Sequence, residues 1–115
     1  MIILGIDPGT TRIGFGVIDT EHRQPALVEY GIIGGTGKDK WLDYKSISEQ
    51  LSRIIVAHKP DKAGLEKLFF TKNQKTAMSV GEVRGVMILT LALHGVPIVE
   101  FTPQQVKQAV SAYGS

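Results

Sequence analysis

The chain has 115 residues, 43% of them hydrophobic and 21% charged, with thirteen Lys and Arg against eleven Asp and Glu for a formal net charge of +2. It contains no cysteine, which excludes disulfides and thiolate metal sites and suits a cytoplasmic protein. No apolar run approaches the ~18 residues of a membrane span, and no basic segment with a cleavage site marks a signal peptide, so the expectation is one globular domain over residues 1–115 with no membrane partner. The mild positive charge permits nucleic-acid binding and is too weak to argue for it alone.

Ile2, Ile3, Leu4 and Ile6 form a nearly continuous apolar stretch, the pattern of a strand buried on both faces. It ends on Asp7, a carboxylate that would be costly to bury unpaired and so belongs where the strand leaves the core. Pro8-Gly9 punctuates a turn, with Thr10 and Thr11 offering hydroxyls and backbone N–H groups beside it. Alone, Asp-Pro-Gly reads as an ordinary hairpin turn or as an acidic metal or phosphate site at a strand end. The chain returns over residues 12–19 as an alternating strand, Ile13, Phe15 and Val17 on one face and Gly14, Gly16 and Ile18 on the other. Two glycines on one face admit another backbone, a ligand or a tightly packed helix. Residues 20–25 are a polar turn, and 26–33 read as a third strand completing an antiparallel meander.

Gly34-Gly35-Thr36-Gly37 reads as a flexible break. Trp41, Tyr44, Ile47, Leu51, Ile54 and Ile55 then recur at helical spacing, which predicts an amphipathic helix with Lys45, Glu49, Gln50 and Arg53 on its wet face. Pro60 closes it, since proline disfavours helical geometry in the residue before it. A short strand, Lys62 to Glu66, also finishes on a carboxylate. Reached through a helix, it should lie parallel to its neighbour. If that neighbour is the first strand, Asp7 and Glu66 emerge at one edge of the sheet.

A loop with Phe69, Phe70, Lys67 and Lys72 leads to a second helix over about 74–93, with Asn73 as N-cap and Gly95 just past its end. Gly81 and Gly85, four apart on one face, each cost a helix roughly 1 kcal/mol against alanine, so close packing on another element or a second subunit is the expected compensation. Residues 96–101 are a fifth strand. Thr102, Pro103 and Gln105 carry the cap, first-position proline and capping-box signals of a third helix running to about Ala112. The order is β-β-β-α-β-α-β-α, an α/β mixed five-stranded sheet with helices on its faces. His22, His58 and His94 sit at turns or element ends and suggest no chemistry, and Asp19 and Glu100 read as strand-end surface groups.

Several segments resemble the RuvC family, bacterial Holliday-junction resolvases of the ribonuclease H-like superfamily. Ile3-Leu4-Gly5-Ile6-Asp7-Pro8-Gly9-Thr10 is similar to the family's opening segment, followed at its spacing by Gly14-Phe15-Gly16-Val17-Ile18. Pro60-Asp61 leading to Leu65-Glu66-Lys67-Leu68-Phe69-Phe70 resembles its second acidic strand. Lys72-Asn73, Ala77 and Gly81-Glu82-Val83-Arg84-Gly85-Val86 resemble the start of its long second helix, and Pro103 to Gln108 the stretch after its fifth strand. The resemblance implies a ribonuclease H-like fold lacking its final helix. It also implies an endonuclease, working as a homodimer, that resolves four-way DNA junctions by paired symmetric nicks in recombination and repair. Its cofactor would be magnesium, with manganese able to substitute, and a branch-migration helicase would be a partner. Of four acidic residues in the family's site, Asp7 and Glu66 match the first two, as catalytic residues and metal ligands; the other two lie on a C-terminal helix not contained in this sequence. A junction-binding or dimerising module without nuclease activity is therefore the alternative. The resemblance also points to Phe69 against unpaired bases and to Lys72 and Lys107 on phosphates, with the helix carrying Gly81 and Gly85 as the dimer contact.

The chemistry is consistent with that pattern. Two carboxylates ~4 Å apart repel by roughly 4 kcal/mol at an effective dielectric near 20, so such a pair is built to hold a cation or share a proton. Magnesium commonly takes one or two carboxylates and leaves the rest of its shell to water and phosphate. A strand followed by Asp-x-Gly-Thr-Thr also resembles the first phosphate loop of the actin and sugar-kinase superfamily, but those enzymes need two such domains to enclose ATP.

Overall fold

The computed structural model describes residues 1–7, 9, 11–21, 24–67 and 74–102. Their order is β1 (Ile2–Asp7), β2 (Arg12–Asp19), β3 (Ala26–Gly34), α1 (Lys40–His58), β4 (Lys62–Glu66), α2 (Gln74–Leu93) and β5 (Ile98–Phe101). The third helix expected after Thr102 lies outside the described residues. The strands form one mixed sheet in the order β3-β2-β1-β4-β5. β1, β2 and β3 are the antiparallel meander, and the α1 crossover brings β4 parallel to β1, with Ile6 opposite Leu65. β5 extends the sheet parallel to β4.

Strand alternation assigns the two faces. Leu4, Ile6, Ile13, Val17, Ile33, Ala63 and Leu65 all point to one side, where they are buried against Ile47, Leu51 and Ile55 of α1 and Val83, Met87 and Leu91 of α2. Both described helices thus cover the same face, and a Ser48–Thr90 hydroxyl bond of 2.7 Å joins them. By length and composition alone α2 could cross a membrane, but its Val83, Met87, Thr90 and Leu91 row is buried in this core, as in a core helix. On the other face the central strands carry Gly5, Gly14, Gly16 and Gly64. The edge strand β3 exposes Leu27, Tyr30 and Ile32 there.

Two local expectations are corrected. Trp41 is 68% exposed, because the buried row of α1 is Asp43, Ile47, Leu51 and Ile55, and two residues before Asp43 lies about 200° around the helix. Its ring instead meets Tyr44 edge-on at 6.1 Å and takes Lys40 Nζ over its face at 4.6 Å. Gln50, expected on the wet face, is half-buried: its Nε2 donates to the Gly34 carbonyl at 2.8 Å and its Oε1 accepts from the Gly34 N–H at 3.3 Å. The break after β3 is therefore pinned at its first residue.

The helix ends follow local chemistry. Asp39 caps α1 by accepting from the N–H groups of Trp41 and Leu42, an ordinary N-cap. Lys59 ends it in the left-handed conformation, φ 49°, with its N–H on the Ile55 carbonyl; Pro60 bars the helical alternative. Asp61 then ties β4 to β1, its N–H donating to the Ile2 carbonyl while its carboxylate accepts from the Ile2 N–H, both at 2.8 Å.

Candidate active site

The β1–β4 register decides where the two carboxylates fall. Gly5 pairs with Gly64 and Ile6 with Leu65, so Asp7 and Glu66 come next, side by side on the face turned away from the helices. They are close enough to share a hydrogen bond. Partial burial, that hydrogen bond and the Asp7 charge together hold the Glu66 carboxyl above the ordinary carboxylate range. Proximity of like charges in a partly desolvated place has this effect.

Among the described residues, that edge is flanked by glycine on one side and by an aromatic ring on the other. Gly14 is the cross-strand partner of Asp7, and a Cβ built on it would stand 3.9 Å from the Asp7 Cβ. With Gly5 also lacking a side chain, the floor beside Asp7 is backbone, which lets a bulky substrate approach closely. Phe101 pairs with Glu66 on the far side. Its ring lies over Gly64, 3.1 Å from where a Cβ would be.

The donor set fits a hard divalent cation. Two adjacent carboxylates offer oxygen ligands only, and a cation between them would offset the repulsion that adds to burial in raising Glu66. Among the described residues no group of three or more His, Cys, Asp and Glu forms a metal-binding cluster, so Asp7 and Glu66 are the ligands this part of the chain brings together. Phe69, Lys72 and Lys107 lie outside the described residues.

Sequence reasoning missed the parts played by three further residues. Asp43, only 7% exposed, sits in the first turn of α1, where its Oδ1 accepts from the Thr36 N–H and hydroxyl and its Oδ2 from the Gly37 N–H. The Thr36 and then the Gly37 N–H bonds hold its carboxyl below the ordinary range. The available signal was an acid placed six residues after the last glycine of a Gly-Thr-Gly turn whose amides need acceptors. Glu100 is not a bare strand-end group, since it pairs with the largely buried guanidinium of Arg84 and so links β5 to α2. Phe101 gave no signal beyond strand alternation.

Comparison with known proteins places this geometry in a lineage. The sequence model of the family described as crossover junction endodeoxyribonuclease RuvC matches residues 3–115. The RuvC of Petrotoga mobilis is 48% identical over 116 residues, covering 99% of this chain and 71% of that protein. That of Brevibacillus brevis is 50% identical over 115 residues, covering 99% and 69%. The Thermus thermophilus RuvC solved in complex with a Holliday junction substrate superimposes with a TM-score of 0.88 at 26% identity, covering 97% of this chain and 71% of that one. A family match over residues 3–115, relatives near 50% identity and a shared fold agree: this chain belongs to the RuvC family of crossover junction endodeoxyribonucleases.

Proposed function

We propose that this protein is a structure-selective endonuclease that resolves four-way DNA junctions by paired phosphodiester hydrolysis, with Asp7 and Glu66 as the metal-holding catalytic pair. The single observation that carries the reading is the juxtaposition of these two carboxylates at the ends of neighbouring parallel strands, in a chain whose relatives are junction endonucleases by name. Magnesium is the cation that suits an all-oxygen, two-carboxylate donor set, and manganese would substitute. When bound it would polarise a phosphoryl oxygen and lower the pKa of a coordinated water. The chain's own part is to hold two negative oxygens beside a glycine floor, so that a phosphodiester can lie against the backbone. Phe69 would stack on unpaired bases at the junction centre, worth ~1–3 kcal/mol per base. Lys72 and Lys107 would contact phosphates, each adding about one counterion to the salt dependence of binding.

Paired nicking asks for two copies, and α2 offers the surface. Among the described residues, Cβ atoms built on Gly81 and Gly85 meet nothing within 4 Å, and Met78 and Leu89 lie on the same stripe, 70% and 60% exposed. An apolar, glycine-notched helix face of this kind suits close approach by its counterpart in a homodimer. A branch-migration helicase is a further partner on this reading, and the cytoplasm its location, in keeping with a cysteine-free chain.

A second reading, a junction-binding or dimerising module that does not cut, is favoured by the finding that only two carboxylates converge among the described residues. One assay separates them. The full 115-residue chain is incubated with a synthetic four-way junction and magnesium. Symmetric nicks that disappear in Glu66→Gln while junction binding persists support the nuclease, and binding without nicks in the unsubstituted chain supports the module.

A further inference from the structure

The connection between β3 and α1 is glycine-rich yet fully engaged. Its four successive backbone N–H groups each have an acceptor: Gly34 on Gln50 Oε1, Gly35 on the Thr11 carbonyl at 3.0 Å, Thr36 on Asp43 Oδ1 and Gly37 on Asp43 Oδ2, both at 2.8 Å. Thr11 belongs to the turn that follows Asp7, so this loop clamps the catalytic turn to the start of α1. The clamp has little slack. A Cβ on Gly35 would lie 2.5 Å from the Asp43 Cγ, and one on Gly34 would lie 3.1 Å from the Thr11 oxygen. Across the turn, a Cβ on Gly9 would lie 2.2 Å from the Arg12 carbonyl oxygen. Thr11 also leads directly into β2, whose Gly14 pairs with Asp7, so a shift of Thr11 reaches Asp7 through the β1–β2 pairing.

We propose that Asp43 is a positioning residue for the metal site: by holding Thr36 and Gly37 it fixes the loop whose Gly35 N–H grips the Thr11 carbonyl, and thereby sets Asp7 relative to Glu66. Asp43 touches neither carboxylate and acts only through this chain of hydrogen bonds. The inference rests on the reading of Asp7 and Glu66 as metal ligands, and outer partners that orient ligands typically change metal affinity about 10- to 100-fold when removed. A carboxylate is needed because both its oxygens accept at once; an asparagine amide would present a donor to one of the two N–H groups.

The test is a manganese titration of the ¹⁵N-labelled full chain without DNA, following paramagnetic broadening of the Asp7 and Glu66 amide signals. The unsubstituted chain is expected to broaden selectively at both positions. Asp43→Asn should need about 10-fold more manganese for the same broadening, whereas Ile47→Val, which loosens the core beneath the same helix without touching the loop, should titrate like the unsubstituted chain. Thr36→Ala, which removes the hydroxyl's bonds to Asp43 and from the Lys38 N–H and leaves the Thr36 and Gly37 N–H bonds to Asp43, should shift the midpoint in the same direction by less, and it serves if Asp43→Asn does not fold. Unchanged midpoints in the loop variants, or an equal shift in Ile47→Val, overturn the proposal. Absence of selective broadening at Asp7 and Glu66 in the unsubstituted chain overturns instead the metal reading on which it rests.

Discussion

Asp7 and Glu66 stand one residue beyond the Ile6–Leu65 pair of β1 and β4, on the same face, with the Glu66 carboxyl raised by its burial and by the neighbouring Asp7. The fold brings two negative groups together and leaves their repulsion uncompensated by any other described side chain.

Removing either carboxylate should therefore separate activity from stability. Asp7→Asn and Glu66→Gln are expected to abolish junction cutting and leave junction binding within about threefold, since neither is a phosphate-binding cation. In metal-free buffer Glu66→Gln should be slightly more stable than the parent, by about 0.5 kcal/mol once solvent screening of a partly exposed group is allowed for. The sign follows from linkage. Glu66 carries a raised pKa, so its favourable contribution is complete below the ordinary carboxylate range and lost as pH rises through its folded value; Glu66→Gln does not suffer that loss. Urea unfolding at neutral pH, with a chelator present, measures the difference.

Asp43 titrates in the opposite sense. Its folded pKa is lowered by the Thr36 and Gly37 N–H groups, so its contribution is complete above the ordinary carboxylate range and is lost as pH falls through that depressed value. Asp43→Asn should be less stable than the parent at neutral pH, and the gap should narrow on acidification. Urea midpoints for both proteins, taken from neutral pH down to about pH 3, test this.

Gln50 and Leu51 test the packing beneath the site. Gln50→Ala strips both hydrogen bonds from Gly34 and should cost about 1–2 kcal/mol, the usual penalty for leaving part-buried backbone groups unpaired. Leu51 is completely buried, and Leu51→Ala should cost about 2–5 kcal/mol. Chemical denaturation with an unchanged m-value is the check on both.

How much of this was legible in the sequence depends on whether a signal is local. The β1 and β4 spans, the crossover and the meeting of two strand-end carboxylates all follow from alternation and connection length and appear where expected. β1, however, buries only Leu4 and Ile6, on the helix side, rather than both of its faces. Trp41 misled because 41, 44 and 47 fit helical spacing as well as the real row of 43, 47, 51 and 55 does; only the sheet's position selects between them. Gln50 and Asp43 were overlooked because a polar residue in a helix reads as solvated until its partner is known, and the partners here are backbone amides of a loop whose glycines suggest freedom. The helix after Thr102, with Phe69, Lys72 and Lys107, lies outside the described residues.

The α2 surface yields a test with two opposed readouts. Gly85→Ala adds helix propensity worth about 1 kcal/mol and meets nothing within 4 Å among the described residues, so the isolated subunit should become more stable. If the same face joins two copies, a larger residue there should weaken association. Gly85→Leu is expected to sediment as a monomer at concentrations where the parent is a dimer, with no loss in thermal midpoint at dilution. A parent that is monomeric throughout rules out this dimer face.

The central claim is that Asp7 and Glu66 jointly hold a divalent cation, and anomalous diffraction from a manganese-soaked crystal of the unsubstituted chain tests it most directly. The account predicts an anomalous peak within coordination distance of both carboxylates, about 2.0–2.2 Å from an oxygen of each, and no peak there in Glu66→Gln. Manganese bound elsewhere while the space between Asp7 and Glu66 stays empty would contradict it.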